Sequence, residues 1–374
     1  MNKVIYFDNA ASCELPNEVK RAIKNCNDFY YANSSSIHLL GGKSKRILNE
    51  SRNFFAKYFN TKPQSIIFTS GATEGNNFIL KGLAFSNRIK RIITSKIEHS
   101  SIINVSEFLS GFGIEIIYLN VGEDGRVDFN RLNNINDSIP TLVSIAAVNN
   151  ETGTIQDVKT ISDICHRKGF LFHTDAVQAL GNINLDWKLF DFITVTAHKM
   201  GGPKGIGLIV NNTDIELVPL LHGGNQEHGQ RSGTENLTGV YAFTVAMKKK
   251  IKETSDNVKE IKKYIIDNLP TRVPCATFNC ADGSPYILSI SFNGYDADTI
   301  VSMFSERKIC LSSGSACLQN SDSPSLALST ILKSERKASS TVRLSFSNHN
   351  TLEEAKIFVD TAPEVIASID ALKG

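Results

Sequence analysis

Lys199 stands in Thr196-Ala197-His198-Lys199-Met200-Gly201-Gly202-Pro203-Lys204-Gly205, between an apolar, β-prone run and a glycine-rich turn. A lysine in that setting is held at the carboxyl end of a strand, where open α/β sheets place their ligands. Asp175 closes another apolar run, Phe170-Leu171-Phe172-His173-Thr174-Asp175. A lysine able to form a Schiff base and an acid able to pair with a pyridinium nitrogen are the protein's minimum equipment for using pyridoxal 5'-phosphate. Upstream, Phe68-Thr69-Ser70-Gly71-Ala72-Thr73-Glu74 lies between a candidate strand and a candidate helix. Its small residues let backbone N–H groups approach an anion at the helix start, and Thr73 adds a hydroxyl donor. Taken alone, the first feature reads as a solvated lysine and the last as an ordinary helix cap. Their co-occurrence is what points to a phosphate-bearing cofactor.

These residues need a frame to bring them together. Candidate strands are Ile66–Ser70, Arg91–Ser95, Ile114–Leu119, Thr141–Val148, Phe170–Asp175, Phe192–Thr196 and Gly207–Val210. Helix-prone stretches alternate with them, among them Glu74–Ala84, Ser100–Leu109 and Asp157–Lys168. The alternation predicts an α/β fold with a mostly parallel seven-stranded sheet covered by helices. Residues 42–59 carry an apolar helical stripe that reads as core. Leu237–Leu269 reads as one long, lysine-rich, solvated helix connecting two domains. Beyond Pro270 the pattern changes to strands at Tyr286–Phe292 and Val342–Phe346 and helices near Ala297–Arg307 and Thr351–Leu372. Thr351 and Glu354 form a capping-box signature, and Pro363 is expected to kink or interrupt the last helix. The expected layout is an N-terminal segment (1–15) near the small domain, a large domain (16–250) and a smaller α+β domain (251–374).

Composition narrows the function classes. At 374 residues, two domains are the default. A net charge of +2 and a pI near 8.1 give no bulk electrostatic case for binding nucleic acid or membranes. No apolar run is long enough to span a bilayer, and the first residues have no signal-peptide core, so the expectation is a cytoplasmic protein. Seven cysteines with no framework or zinc-ligand spacing fit reduced thiols, and no metal is expected.

Ten short motifs follow one another along nearly the whole chain. They are Tyr6-Phe7-Asp8-Asn9-Ala10-Ala11, Asn33-Ser34-Ser35-Ser36-Ile37-His38, Thr69-Ser70-Gly71-Ala72-Thr73-Glu74 and Thr94-Ser95-Lys96-Ile97-Glu98-His99. Next come Val148-Asn149-Asn150-Glu151-Thr152-Gly153, His173-Thr174-Asp175-Ala176-Val177-Gln178 and Ala197-His198-Lys199. His222-Gly223-Gly224, Arg231-Ser232-Gly233-Thr234 and Ser312-Ser313-Gly314-Ser315-Ala316-Cys317 complete the series. In this order they resemble the class V aminotransferase branch of the fold-type I pyridoxal-phosphate enzymes, and within it the cysteine desulfurases.

The resemblance implies roles. Lys199 would form the Schiff base and Asp175 would pair with the pyridinium nitrogen. His99 would stack on the ring and move protons, and Gln178 would face the phenolic oxygen. Ala72, Thr73, Thr196 and His198 would hold the phosphate. Thr234 would reach the neighbouring subunit's phosphate, which implies a homodimer. Asn150 and Arg343 would hold the carboxylate of L-cysteine, with Asn33 lining the same pocket.

Cys317 decides the reaction. It sits in a polar run ending Gln319-Asn320-Ser321-Asp322-Ser323-Pro324-Ser325, whereas free cysteines are usually buried, as expected for Cys310. A thiol there suits a nucleophile. The long stretch between Cys317 and Arg343 resembles the group I desulfurases. They move sulfur from L-cysteine to a persulfide on this cysteine, release L-alanine and hand the sulfur to an acceptor protein. A related lyase or aminotransferase such as a selenocysteine lyase, with Cys317 incidental, and a non-catalytic scaffold are the competing readings. Ser12-Cys13 departs from the family's threonine pair, and Cys13 is read as a small filler. The chain ends at Gly374, soon after its last helix, where housekeeping group I enzymes carry a longer tail. That favours a dedicated sulfur donor, for tRNA thiolation, DNA phosphorothioation or nitrogenase-type iron–sulfur assembly.

Overall fold

The computed structural model describes residues 4–314 and 324–373. A seven-stranded sheet forms the centre. Its spatial order is Ile66–Thr69, Gly207–Asn211, Phe192–Thr196, Leu171–Asp175, Thr141–Ser144, Arg91–Ser95 and Glu115–Leu119. All neighbours are parallel except Gly207–Asn211, which runs antiparallel to both of its own. Most of these strands are buried along their whole length, which explains why they read as continuous apolar runs. Helices Ala72–Phe85, Ser100–Ser110 and Val158–Lys168 match the predicted alternation. The stripe in residues 42–59 belongs to the helix Leu39–Phe59, whose Ile47, Leu48, Phe55 and Phe59 are buried.

A second core gathers the C-terminal elements. Ile287–Phe292 pairs antiparallel with Thr341–Ser345 and with Ala276–Asn279. Helix Leu352–Lys373 contributes Phe358, Val359 and Val365 to this core. Ile5 and Phe7 lie in it too, and Ile5–Tyr6 pairs with Ile309–Cys310. The N-terminal strand was not legible, because two residues carry no periodicity.

Three expectations need correction. Leu237–Leu269 is two helices, Leu237–Lys250 and Asp256–Arg272, and neither is a solvated connector. Val240, Phe243 and Met247 are buried, and Lys250 is buried as well, with Nζ 3.1 Å from Glu253 Oε2 and over the Tyr286 ring. The aliphatic stem covers apolar surface while the ammonium keeps a partner. The helix Leu352–Lys373 is not interrupted at Pro363, where Ala362 and Val365 on either side are buried in the second core. Cys310 is half-buried, since its strand lies at the rim of the second core. The capping box forms as predicted: Thr351 N donates to Glu354 Oε2 (3.1 Å), and Glu354 N donates to Thr351 Oγ1 (3.2 Å). No helix among the described residues is long and apolar enough to cross a membrane.

Candidate active site

A cavity of about 710 Å³ opens at the carboxyl ends of the parallel strands. Lys199, Asp175, His99, Gln178, Ala72, Thr73, Thr196, His198, Asn150 and Arg343 all line it. Ten residues dispersed over more than two-thirds of the chain are thus gathered at one site.

The floor is built from two adjacent strands. Asp175 ends Leu171–Asp175, and Thr196 ends Phe192–Thr196 three residues before Lys199. Lys199 Nζ donates to Ala10 O at 2.6 Å, and Gln178 Nε2 donates to the same oxygen at 3.1 Å. The backbone of the Asp8-Asn9-Ala10 turn therefore fixes both side chains. Asp175 accepts Val177 N at Oδ1 (3.0 Å) and Asn76 Nδ2 at Oδ2 (2.8 Å). Asn76 also donates to Ser101 Oγ (2.8 Å), which meets His99 Nδ1 at 2.8 Å. Ser101 N donates to the same Nδ1 (3.1 Å), so a neutral His99 carries its proton on Nε2. Asp175 and His99 are joined by this relay. Asn76 is a functional residue the sequence reading missed.

Thr73 and Ala72 sit at the start of the fourteen-residue helix Ala72–Phe85. The approach there is close: a Cβ on Gly207 would lie 2.6 Å from Val195 O and 2.9 Å from Gly71 Cα. Glycine lets the loop before the helix lie directly on the sheet. His198 Nδ1 is buried with no hydrogen-bond partner among the described residues. Burial, with Lys199 and Lys204 nearby, pushes its pKa down to about 4, so the ring is neutral. An unpartnered ring nitrogen, helix-start amides and the Thr73 hydroxyl suit a phosphate, whereas Thr196 Oγ1 donates to Ile206 O (3.2 Å). With Asp175 and Lys199 on the same floor, the donor set fits pyridoxal phosphate. Among the described residues no cluster of histidine, cysteine and acidic groups could hold a metal.

Arg343 donates from Nη1 to Asn150 O (2.9 Å) and from Nη2 to Asp8 Oδ1 (2.8 Å). Its Nε is buried without a partner among the described residues. Glu98, buried beside His99, accepts from Ser95 Oγ (2.7 Å) and Ala146 N (2.8 Å). Burial pushes its carboxyl up to about 7, with the charge of Asp175 adding to the rise.

Two predicted residues do not line this cavity. Asn33 is exposed, and its Oδ1 accepts from Ser35 N (2.8 Å), closing a local turn. Thr234 is exposed on the loop that follows Gln226–Gly229. Cys317 lies outside the described residues. Cys13 sits just behind Lys199, with Sγ 3.1 Å from Lys199 O. Burial pushes this thiol up to about 11, which makes it an inert filler rather than a nucleophile.

The loop that carries Thr234 is clamped. Arg52 makes a bidentate pair with Glu227, at 2.8 and 2.6 Å, and Phe68 N donates to Glu227 Oε2 (2.9 Å). Both side chains are buried, and Glu227 and His228 adopt left-handed φ values of 46° and 57°. Such conformations persist only when surrounding contacts over-determine them. Arg231 then pairs with Glu74, beside Thr73. Arg52→Ala, which strands the buried Glu227 charge, is expected to lower stability by about 3–5 kcal/mol. A drop in the denaturant midpoint measures it, and an unchanged midpoint refutes it.

The chain matches the family model described as Aminotransferase class-V over residues 5–358. It is 33% identical to "Cysteine desulfurase IscS" of Clostridium botulinum, covering 98% of this chain and 95% of that one. It is 36% identical to "NifS/IcsS protein homolog" of Lactobacillus delbrueckii subsp. bulgaricus, covering 97% of each. Among solved structures, "NIFS-LIKE PROTEIN" superposes with a TM-score of 0.90 at 32% identity, over 98% of this chain and 100% of that one. "SspA in complex with cysteine" superposes with a TM-score of 0.81 at 32% identity, over 91% and 98%. A family match over nearly its full length, together with relatives and a solved structure matched over almost the whole chain, shows that the chain belongs to the class V aminotransferase family, among its group I cysteine desulfurases.

Proposed function

We propose that this chain takes sulfur from L-cysteine, releases L-alanine and holds the sulfur as a persulfide on Cys317 for an acceptor protein. The convergence of Lys199, Asp175, His99 and Arg343 on one cavity supports this reading most directly. Pyridoxal phosphate, when bound, supplies an electron sink for bonds to the substrate's α-carbon. Lys199 would anchor it, Asp175 and Gln178 would face its ring, and Ala72, Thr73, Thr196 and His198 would hold its phosphate. Thr234, presented outward, would serve the phosphate of a second copy in a homodimer.

The chain's own groups then do the following. Arg343 and Asn150 orient the substrate by its carboxylate, where a guanidinium gives charge-assisted hydrogen bonds. Lys199 Nζ, held at Ala10 O, takes the α-proton. His99, oriented through Ser101 and Asn76, is the second proton carrier. The Cys317 thiolate attacks the substrate sulfur. A sulfur–sulfur bond forms as the carbon–sulfur bond breaks, and the carbon fragment takes up protons and leaves as L-alanine. One thiol sulfur is thereby moved with no external oxidant.

The acceptor belongs to a sulfur-donation pathway such as tRNA thiolation, DNA phosphorothioation or iron–sulfur assembly. The near-neutral charge suits contact with a protein rather than nucleic acid. The test is to give the cofactor-loaded protein L-cysteine without reductant and follow both products. The expected result is L-alanine in step with one added sulfur on the peptide containing Cys317. Keto-acid formation in place of alanine would favour an aminotransferase.

A further inference from the structure

Glu151 lines the same cavity as His99 and Arg343, and the reaction above gives it no task. Its Oε2 is buried with no hydrogen-bond partner among the described residues, and so is Arg343 Nε. An acceptor and a donor left bare in one cavity are each costly unless a ligand completes them. They do not complete each other, because Arg343 gives its other nitrogens to Asn150 O and Asp8 Oδ1. Glu151 is also pressed against backbone: a Cβ on Gly314 would lie 3.0 Å from its Oε2.

Burial pushes the Glu151 carboxyl up to about 7, against the opposing pull of the Ser325 hydroxyl and of charge on Arg343 and His99. These facing groups come from three separate places: Ser325 caps the helix Leu326–Leu332, Arg343 lies on the strand Thr341–Ser345, and His99 caps the helix Ser100–Ser110. An ionised Glu151 would repel an incoming carboxylate. A protonated one can donate to it.

We propose that Glu151 binds substrate as a carboxylic acid, donating a hydrogen bond to the amino acid's α-carboxylate, which also accepts from Arg343 Nε. This rests on the chain being a pyridoxal-phosphate enzyme acting on an amino acid. The sign follows from the raised carboxyl. The interaction is present while Glu151 is protonated and is lost as pH rises through about 7.

The test uses the cofactor-loaded protein, with cofactor absorbance reporting the binding of two ligands. L-Alanine carries the α-carboxylate and no sulfur; cysteamine carries the thiol and no carboxylate. Glu151→Ala is expected to weaken L-alanine roughly ten- to hundredfold and to leave cysteamine unchanged. Glu151→Gln keeps a donor but cannot titrate. It is expected to bind L-alanine within about threefold of the parent at low pH and to lack the parent's extra fall in affinity above neutrality. Equal weakening of both ligands, or of neither, overturns the proposal, as does a glutamine variant that keeps the parent's alkaline fall. If Glu151→Ala does not fold, the glutamine pH profile decides. A parent that binds L-alanine but yields no sulfur sinks the desulfurase reading and leaves this proposal standing.

Discussion

Lys199→Ala is expected to reduce turnover of L-cysteine by at least roughly 10²–10⁴-fold, the range for removing a positioned proton-transfer group, and to change the absorbance of the bound cofactor. The proposed reaction gives the lysine two tasks, and alanine removes both. Its amine is the only one on the cavity floor, among the described residues, placed directly after the strand Phe192–Thr196 beside Asp175. The hydrogen bond to Ala10 O at 2.6 Å holds it there. Lys204 also lines the cavity, but it follows the glycine turn and is exposed, so it has no comparable anchor. Asp175, Thr73 and His198 stay in place in the variant, so cofactor should still bind, more weakly and with a different spectrum. Absorbance titration with pyridoxal phosphate reads the binding, and alanine release reads the turnover. A variant with the parent's spectrum and rate would remove Lys199 from the chemistry.

The frame around Lys199 was readable because it is made of local signals. Strands buried on both faces read as unbroken apolar runs, and their ends fell within a few residues of the predicted ones. Pairing is a different matter. The antiparallel insertion of Gly207–Asn211 depends on the ten-residue connection after Phe192–Thr196 folding back, which no periodicity announces. The break between Leu237–Lys250 and Asp256–Arg272 was hidden because both halves are helix-prone. What separates them is tertiary: Lys250 packs so tightly that a Cβ on Gly181 would lie 2.5 Å from its Cγ.

The same divide runs through the site. Residues carried by ordered motifs, such as Asp175, His99 and Arg343, could be named from the sequence. Their supports could not. Asn76 meets Asp175 across 99 positions, and Asp8 meets Arg343 across 335. An asparagine inside a helix has no spacing that marks it as the partner of a distant acid. Glu151 lies in a motif that gives it no role, because only the fold shows that its Oε2 is buried without a partner among the described residues. Asn33, which its motif gives a place in the pocket, closes a turn outside this chain's cavity.

Cys317→Ala is expected to end sulfur release from L-cysteine while leaving the cofactor spectrum and L-alanine binding as in the parent. In the proposed reaction the residues gathered at the cavity bind the amino acid and move its α-proton, but no cysteine is among the described residues that line it. Among the other cysteines, Cys26 and Cys165 are buried in the main core, and Cys275, Cys280 and Cys310 do not line the cavity. Cys13 is near Lys199, but burial holds its thiol protonated and its Sγ faces the Lys199 and Asn9 carbonyl oxygens. The prediction therefore separates two halves of the reaction: substrate binding and proton transfer survive, and sulfur transfer does not. Sulfide in the presence of a thiol reductant reads the second half. Exchange of the α-proton of L-alanine with solvent deuterium reads the first. Parent-level sulfide from the alanine variant would make Cys317 incidental and turn the assignment toward a lyase of the same family. Loss of both halves would mean that Cys317 is needed to build the site rather than to carry the sulfur.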